Sequence, residues 1–402
     1  MPWHLRMVVN IFLLLIIVYI YIGLRFSRAF SDTFSLSILK TRIVTFGFLL
    51  LLNLFPILIL LYFVSGNIND IFILKDQLHW QDYVFLFPFW IGLIVIVEVF
   101  PYYLLTDIIS VVLRIFKLSF LKSWLKWASI IKIILPTVFI FYVSIKSYLD
   151  TNIVKVKQYI VPLQNLNDDF QNLNLVLFGD IQVDRYTQKE KLLDVKEQIN
   201  QLNGDLLLSA GDLVTYGEDF INEGVQLLCE LNANVSRVSC LGDHDYWANS
   251  KKISTGLENC GWNFLENQHY VVQYNNHKIL ITGVVYIYSQ RISSEKLDSL
   301  LTNAPSADLK ILVVHQPSRK VIRAAKEHGY DFVLAGHTHG GQIVFKPFGF
   351  DLTPSMFENP NFSGYSDDLG IPVIITNGIG LTLAPLRYNA PAEISKISLV
   401  KK

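Results

Sequence analysis

Apolar and polar positions divide this chain into two halves of different character. In the first, apolar stretches run over about 8–24, 43–65, 83–106 and 127–146, each near or above the roughly 20 residues that cross a bilayer core. None shows the polar face that a helix in a soluble bundle would carry. The pattern predicts four transmembrane helices within residues 1–150. Val8–Leu24 also resembles the apolar core of a signal peptide, but no small-residue cleavage site follows and three further spans do, so it reads as an anchor. Ile108–Leu121, short and broken by Arg114 and Lys117, reads as an interfacial helix.

From about residue 172 the pattern changes to short apolar runs alternating with helix-like stretches. Leu173–Phe178, Leu206–Ser209, Val235–Leu241, Lys278–Thr282, Leu309–Val314, Phe332–Ala335 and Val373–Thr376 predict strands, several apolar enough to be buried on both faces. Lys189–Leu202, Phe220–Leu231, Lys296–Leu301 and Ser318–His328 predict helices between them. This alternation indicates an α/β domain over residues 172–402, with helices covering sheet faces. Residues 151–171, polar and rich in Asn and Gln, form a linker or first edge strand.

Charge adds an orientation. The net charge is zero, yet residues 1–150 hold 12 Lys/Arg against 7 Asp/Glu and residues 151–402 hold 22 against 27. The acidic second half argues against a nucleic-acid partner, which calls for a basic face. Arg25, Arg28, Lys40 and Arg42 follow the first span, and Arg114, Lys117, Lys122 and Lys126 follow the third. The positive-inside rule makes both loops cytoplasmic, so residues 151–402 face the extracytoplasmic side of a multi-pass membrane protein. Glu98 is the one carboxylate deep in an apolar stretch and hence a functional candidate. Apart from Glu98 and Lys132 the spans hold almost no charge, and no paired broken helices are evident, which disfavours a transporter. The three cysteines (Cys229, Cys240, Cys260) have neither metal nor redox spacing and predict no disulfide framework; Cys229 and Cys240 read as core thiols.

The chemistry lies where apolar runs end. Five of them close on Gly179-Asp180-Ile181-Gln182, Gly211-Asp212, Gly242-Asp243-His244-Asp245, Val314-His315-Gln316-Pro317 and Gly336-His337-Thr338-His339-Gly340-Gly341-Gln342. A single Gly-Asp is usually a turn, and a lone histidine after an apolar strand is usually core. Together they gather carboxylates and imidazoles at the carboxyl ends of strands, where α/β folds place their ligands. Glycine before the acid or imidazole lets the backbone turn sharply without a Cβ clash.

In order, these clusters resemble the pattern of the calcineurin-like metallophosphoesterase family: Asp-x-His, Gly-Asp, Gly-Asn-His-Asp, a histidine after an apolar strand, and Gly-His-x-His. The resemblance runs from about Leu173 to Ile394. Gly364-Tyr365, Gly378-Ile379-Gly380, Arg387 and Pro391-Ala392-Glu393-Ile394 look like the YkuE-like branch. It implies a β-sandwich flanked by helices and a binuclear metal site. By motif, Asp180, Gln182, Asp212 and His339 would hold one divalent ion, and Asp212, Asp243, His315 and His337 the other, with Asp212 bridging. His244 would protonate the leaving oxygen or stabilise transition-state charge, with Asp245 fixing its orientation.

Two positions depart from the pattern. Gln182 stands where the family usually has His, and Asp243 where it usually has Asn. Both changes favour oxygen-preferring ions, Mn²⁺ first, with Mg²⁺ and Fe next and Zn²⁺ less favoured. The resemblance implies a membrane-anchored hydrolase of phosphodiesters or phosphomonoesters, with lipid-linked phosphate esters included. The alternative is a metal-binding domain without turnover that senses a phosphorylated ligand through the membrane region. The aromatic and proline-rich segment Phe345–Phe362 is expected either to cap the sheet as a secondary core or to form an apolar lip.

Overall fold

A computed structural model describes all residues of the chain except Asn165, which falls within the expected linker. The chain divides into two compact units. The first comprises Met1–Tyr148 together with Phe345–Leu352 and Leu383–Pro385, and the second comprises the remainder.

The first unit is built from α1 (Trp3–Phe34), α2 (Ile38–Leu52), α3 (Leu54–Val64), α4 (Phe87–Ile115) and most of α5 (Leu121–Asn152). Three helical stretches, Trp3–Phe34, Asp82–Ile115 and Leu121–Asn152, are long and apolar enough to cross a membrane. The predicted span at 43–65 is instead a pair, α2 and α3, bent by 60°. Pro56, in the first turn of α3, lacks the N–H that would continue the helix ladder and so suits a break there. Counting the bent pair as one span gives four. The interfacial helix expected at Ile108–Leu121 does not form separately. Its first eight residues extend α4, and the chain turns only at Phe116–Phe120.

One acid clamps three of these helices. Asp107 on α4 accepts from the Tyr21 hydroxyl at 2.7 Å and pairs with Arg25 Nε at 2.7 Å on α1 and with Lys132 Nζ at 2.5 Å on α5. Asp107 directly follows the third apolar run and so carries no signal as an intramembrane charge in the sequence. Removing it leaves Lys132 largely buried beside an unpaired guanidinium, so Asp107→Asn is expected to lower the stability of the helical unit by about 1–3 kcal/mol. Thermal melting of the detergent-solubilised protein reads this directly. Glu98 is also bonded within the first unit, its carboxylate accepting from the Lys346 N–H at 3.1 Å. The Phe348 ring lies 4.9 Å from that of Tyr102. Phe348, Phe350 and Phe357 are 54%, 71% and 90% exposed, so these aromatics do not fill a secondary core.

The second unit contains two six-stranded sheets. One has the order β1 (Lys155–Leu163), β12 (Glu393–Lys401), β2 (Asn174–Phe178), β3 (Leu206–Ser209), β4 (Ser236–Cys240) and β5 (Asn263–Leu265). The other has the order β10 (Gly364–Ser366), β11 (Val373–Ile375), β9 (Phe332–Ala335), β8 (Leu309–Val314), β7 (His277–Val284) and β6 (Gln268–Tyr274). Strand periodicity explains the layers. Leu175, Leu177, Leu206, Leu208, Ile279, Ile281, Ile311 and Val313 share one core between the sheets. The alternating residues Val176, Phe178 and Leu207 face a second core with α6 (Lys189–Gln201) and α7 (Ile221–Cys229). Leu280, Leu312 and Val314 face a third, with α9 (Ser294–Thr302) and α10 (Arg319–Glu327). Apolar runs buried on both faces therefore make the sandwich flanked by helices, each buried Leu or Ile contributing about 1.5–3 kcal/mol.

Of the linker or first edge strand expected over 151–171, residues 155–163 form the strand β1, which pairs in parallel with β12 at the edge of its sheet. One expectation changes. Cys229 and Cys260 form a disulfide, leaving only Cys240 free and buried. Their separation of 31 residues matches no short motif, and the fold alone brings the end of α7 beside the end of α8 (Asp243–Asn259).

Candidate metal centre

Five parallel strands deliver the polar clusters. β2 ends two residues before Asp180, β3 three before Asp212 and β4 three before Asp243, while His315 follows β8 directly and His337 lies two residues past β9. The backbone beyond these ends is strained. Asp180, Gln182, Asp212, His337 and His339 all have positive φ, between 47° and 73°. Left-handed conformations cost non-glycine residues about 1–3 kcal/mol each and cluster where function over-determines the backbone. Hydrogen bonds hold them: Asp180 N–H donates to the Gly211 carbonyl, and the N–H groups of Ile379 and Gly380 donate to the Asp180 carbonyl. The tail motif thus cradles the first acid.

The side chains converge in two triads. Donor atoms of Asp180, Asp212 and His315 lie within 4.8 Å of one another, as do those of Asp243, His315 and His337. His315 Nε2 is 3.2 Å from Asp212 Oδ2 and 3.5 Å from Asp243 Oδ2. Its Nδ1 is 2.7 Å from the Ala210 carbonyl, which fixes the proton there and leaves Nε2 facing the two carboxylates as a candidate ligand atom. His337 Nδ1 is 3.1 Å from Asp243 Oδ2. His339 lies outside both triads, with Nε2 3.5 Å from Asp180 Oδ1. Gln182 Nε2 donates to Asp212 Oδ2 at 3.0 Å, and its fully buried Oε1 has no protein partner. An orphaned amide oxygen among buried carboxylates and imidazoles fits cations rather than an apolar ligand.

His244 and Asp245 are close in sequence but serve different groups. Asp245 accepts from the backbone N–H groups of Asp212 at 2.8 Å, Leu213 at 2.7 Å and Gly242 at 3.1 Å. It therefore shapes the Asp212 turn, and it is not the group that fixes the His244 ring. That group is the Thr215 carbonyl, bonded to His244 Nδ1. The His244 ring also packs edge-on against Trp247.

Burial pushes Asp180 and Asp245 up to about 6, the Asp212 charge adding to both. Burial acts the same way on Asp212, but His315 and His244 outweigh it and hold that carboxyl below the usual range. Burial would lower His337, yet hydrogen bonds to Asp243 and Glu358 raise it to about 9. Burial and the Arg387 guanidinium hold His339 well below the usual imidazole range and so keep it neutral, the form a metal ligand requires. A histidine raised from 6.5 to about 9 binds more protons folded than unfolded. Its stabilisation is complete below pH 6.5 and is lost as pH rises through 9. A cation bound at His337 would replace that proton, so the rise in Tm on adding Mn²⁺ to metal-stripped protein is expected to grow between pH 6.5 and 9. Paired melts with and without chelator measure it, and a constant increment would contradict it.

Several residues around the site carried no isolated signal in the sequence. Gln316 Nε2 lies 3.3 Å from Asp243 Oδ2 and 3.2 Å from His337 Nε2. Tyr288 and Glu358 reach Asp243 and His337 from two loops. Arg387, named only within the tail motif, is wholly buried and donates to the carbonyls of His339, Asn377, Gly380 and Ala390. Gln342 bridges Leu386 and Thr382, so it supports the same turn.

Known proteins similar to this chain share its second half. Residues 173–341 match the calcineurin-like phosphoesterase family. A metallophosphoesterase of Helicobacter pylori is 28% identical over 251 residues, covering 62% of this chain and 64% of that protein. YkuE of Bacillus subtilis is 24% identical over 264 residues, covering 63% of this chain and 87% of YkuE. A transmembrane protein with a metallophosphoesterase domain from Danio rerio is 26% identical over 255 residues, 61% of this chain and 57% of that protein. The matches thus span less than two thirds of the Helicobacter and Danio proteins. Behind its N-terminal apolar helices, this chain carries a domain that matches the calcineurin-like phosphoesterase family over residues 173–341 and is similar to YkuE.

Proposed function

We propose that the protein is a membrane-anchored, binuclear metal-dependent phosphoesterase. The observation that carries this reading is the pair of donor triads, buried except for a partly exposed His337, joined through His315 and flanked by the orphaned Gln182 oxygen. Asp180, Gln182, Asp212 and His339 would hold one cation, and Asp212, Asp243, His315 and His337 the other. Divalent cations bound there supply Lewis-acid stabilisation of phosphoryl charge and a water nucleophile usable at neutral pH. The chain's own residues do the rest. Asp245 and the Asp180 cradle fix the carboxylates, and His244, held through Nδ1 by Thr215, offers Nε2 to the leaving oxygen.

Three carboxylates and one amide among the seven ligand positions favour Mn²⁺, with Mg²⁺ or Fe next. Metal analysis of protein purified without added metal is the test. Two equivalents of an oxygen-preferring ion are expected, and two tightly held Zn²⁺ would refute this preference. The amide–carboxylate bond between Gln182 and Asp212 favours a second reading, a phospho-ligand sensor without turnover. That reading expects two bound ions and no hydrolysis.

Exposed aromatics suggest the substrate. Trp247 is 46% exposed with its ring 5.0 Å from that of His244, and Tyr288 is 54% exposed with its ring 5.2 Å from that of His337. Such surfaces suit a phosphate ester carrying an apolar group, as in lipid-linked substrates at a membrane surface. The positive-inside pattern supports an extracytoplasmic domain, and so does the Cys229–Cys260 disulfide, which persists in oxidising compartments. Because Cys240 is buried, an Asn203→Cys variant can be probed in intact cells with a membrane-impermeant maleimide. Labelling is expected, and protection until lysis would reverse the orientation.

A further inference from the structure

The second triad is closed by a ring of contacts that reaches outside it. Asp243 Oδ1 accepts from the Tyr288 N–H at 2.6 Å, and the Tyr288 hydroxyl donates to Glu358 Oε2 at 2.9 Å. Glu358 Oε1 lies 3.3 Å from His337 Nε2, and His337 Nδ1 returns to Asp243 Oδ2 at 3.1 Å. The Tyr288 ring also packs edge-on against the His337 ring. Two loops, one after β7 and one carrying the short helix α11 (Ser355–Glu358), therefore meet on two candidate ligands of one cation.

The two nitrogens of His337 have different neighbours. Nδ1 faces the triad, 3.2 Å from His315 Nε2 and 3.1 Å from Asp243, whereas Nε2 faces Glu358. A neutral imidazole can give Nδ1 to a cation only in the tautomer protonated at Nε2, and the partner of Nε2 selects that tautomer. A carboxylate is the strongest such partner, because it accepts the proton's hydrogen bond and carries charge that raises ligand basicity. The other group near Nε2 is the Gln316 amide nitrogen at 3.2 Å, a donor that cannot accept this proton, so of the two neighbours Glu358 alone can select the tautomer. We propose that Glu358, oriented by the Tyr288 hydroxyl, is the positioning residue that holds His337 in its Nδ1-ligating tautomer and so sets the affinity of the second cation site. This rests on the binuclear reading above.

The Glu358 side chain is 41% exposed and sits on a one-turn helix, so Glu358→Gln preserves shape and should fold. The experiment is calorimetric titration of Mn²⁺ into metal-stripped, full-length protein in detergent. The wild type is compared with Glu358→Gln, Glu358→Asp and Tyr288→Phe, and with Glu266→Gln as an exposed-carboxylate control. The wild type should bind two ions. Glu358→Gln should weaken one of them by about 10–100-fold and leave the other unchanged. Tyr288→Phe should weaken the same ion less, and Glu358→Asp should recover part of the loss. Unchanged affinity for both ions in Glu358→Gln, or equal weakening of both, overturns the inference while leaving the binuclear site standing. A wild type that binds fewer than two ions overturns the binuclear reading and this inference with it.

Discussion

Asp212→Asn is expected to lower metal-supported phosphoester hydrolysis at least about a thousandfold, equivalent to about 4 kcal/mol of transition-state stabilisation. Asp212 is buried and lies at the crossing of the site's contacts. Its Oδ1 accepts from the His244 N–H at 2.8 Å, and its Oδ2 accepts from Gln182 and lies 3.2 Å from His315 Nε2. It is the acid whose charge His315 and His244 stabilise most clearly, so it is ionised when a cation arrives. Asparagine keeps the shape and one oxygen but removes the charge, and both cations would share that loss. Turnover of a nitrophenyl ester, Mn²⁺ affinity and circular dichroism should be read together. Hydrolysis and affinity should fall while the cooperative melt persists. A variant with near-normal turnover would remove Asp212 from the site.

Gly242→Ala is the second large effect, and it acts through the backbone. A Cβ at Gly242 would stand 2.1 Å from Asp212 Oδ1 and 2.3 Å from Asp212 N. Neither atom is free to move, because the first accepts from His244 and the second donates to Asp245. One methyl group would therefore push apart the β3 and β4 ends and separate Asp212 from Asp243. Overpacking of this kind typically costs about 1–3 kcal/mol, and metal binding should fail along with stability. Urea unfolding of metal-stripped protein and a Mn²⁺ titration measure the two losses. Retained Mn²⁺ affinity would show that the turn tolerates the methyl group.

What the sequence revealed follows from its periodicities. Leu206–Ser209 is apolar up to its last residue, Leu309–Val314 is broken only by Lys310 and Phe332–Ala335 is apolar throughout, and the strands occupy those residues. Helix α8 has no clear apolar period, because it starts on the candidate ligand Asp243 and buries only Ile253 and Leu257 from its apolar residues. β12 was missed because its apolar positions alternate with Ser and Lys at the end of the chain, far from the strands it pairs with. Of the site, the candidate ligands were legible because their clusters follow apolar runs. The groups that orient them were not. Glu358 reaches His337 across 21 residues and Arg387 reaches the His339 carbonyl across 48, separations that no local pattern records. The error over Asp245 has the same origin, since adjacency to His244 suggested a partner when the carboxylate serves three backbone N–H groups instead.

The most direct measurement is hydrolysis by the full-length protein, metal-stripped and then reconstituted with Mn²⁺, of a nitrophenyl phosphodiester and a nitrophenyl phosphomonoester, beside His337→Ala prepared identically. Expected is Mn²⁺-dependent turnover of at least one ester that chelator abolishes and that His337→Ala reduces to background. Turnover of neither ester above the His337→Ala rate, in protein that holds two ions, would contradict the assignment as an enzyme and leave the phospho-ligand sensor in its place.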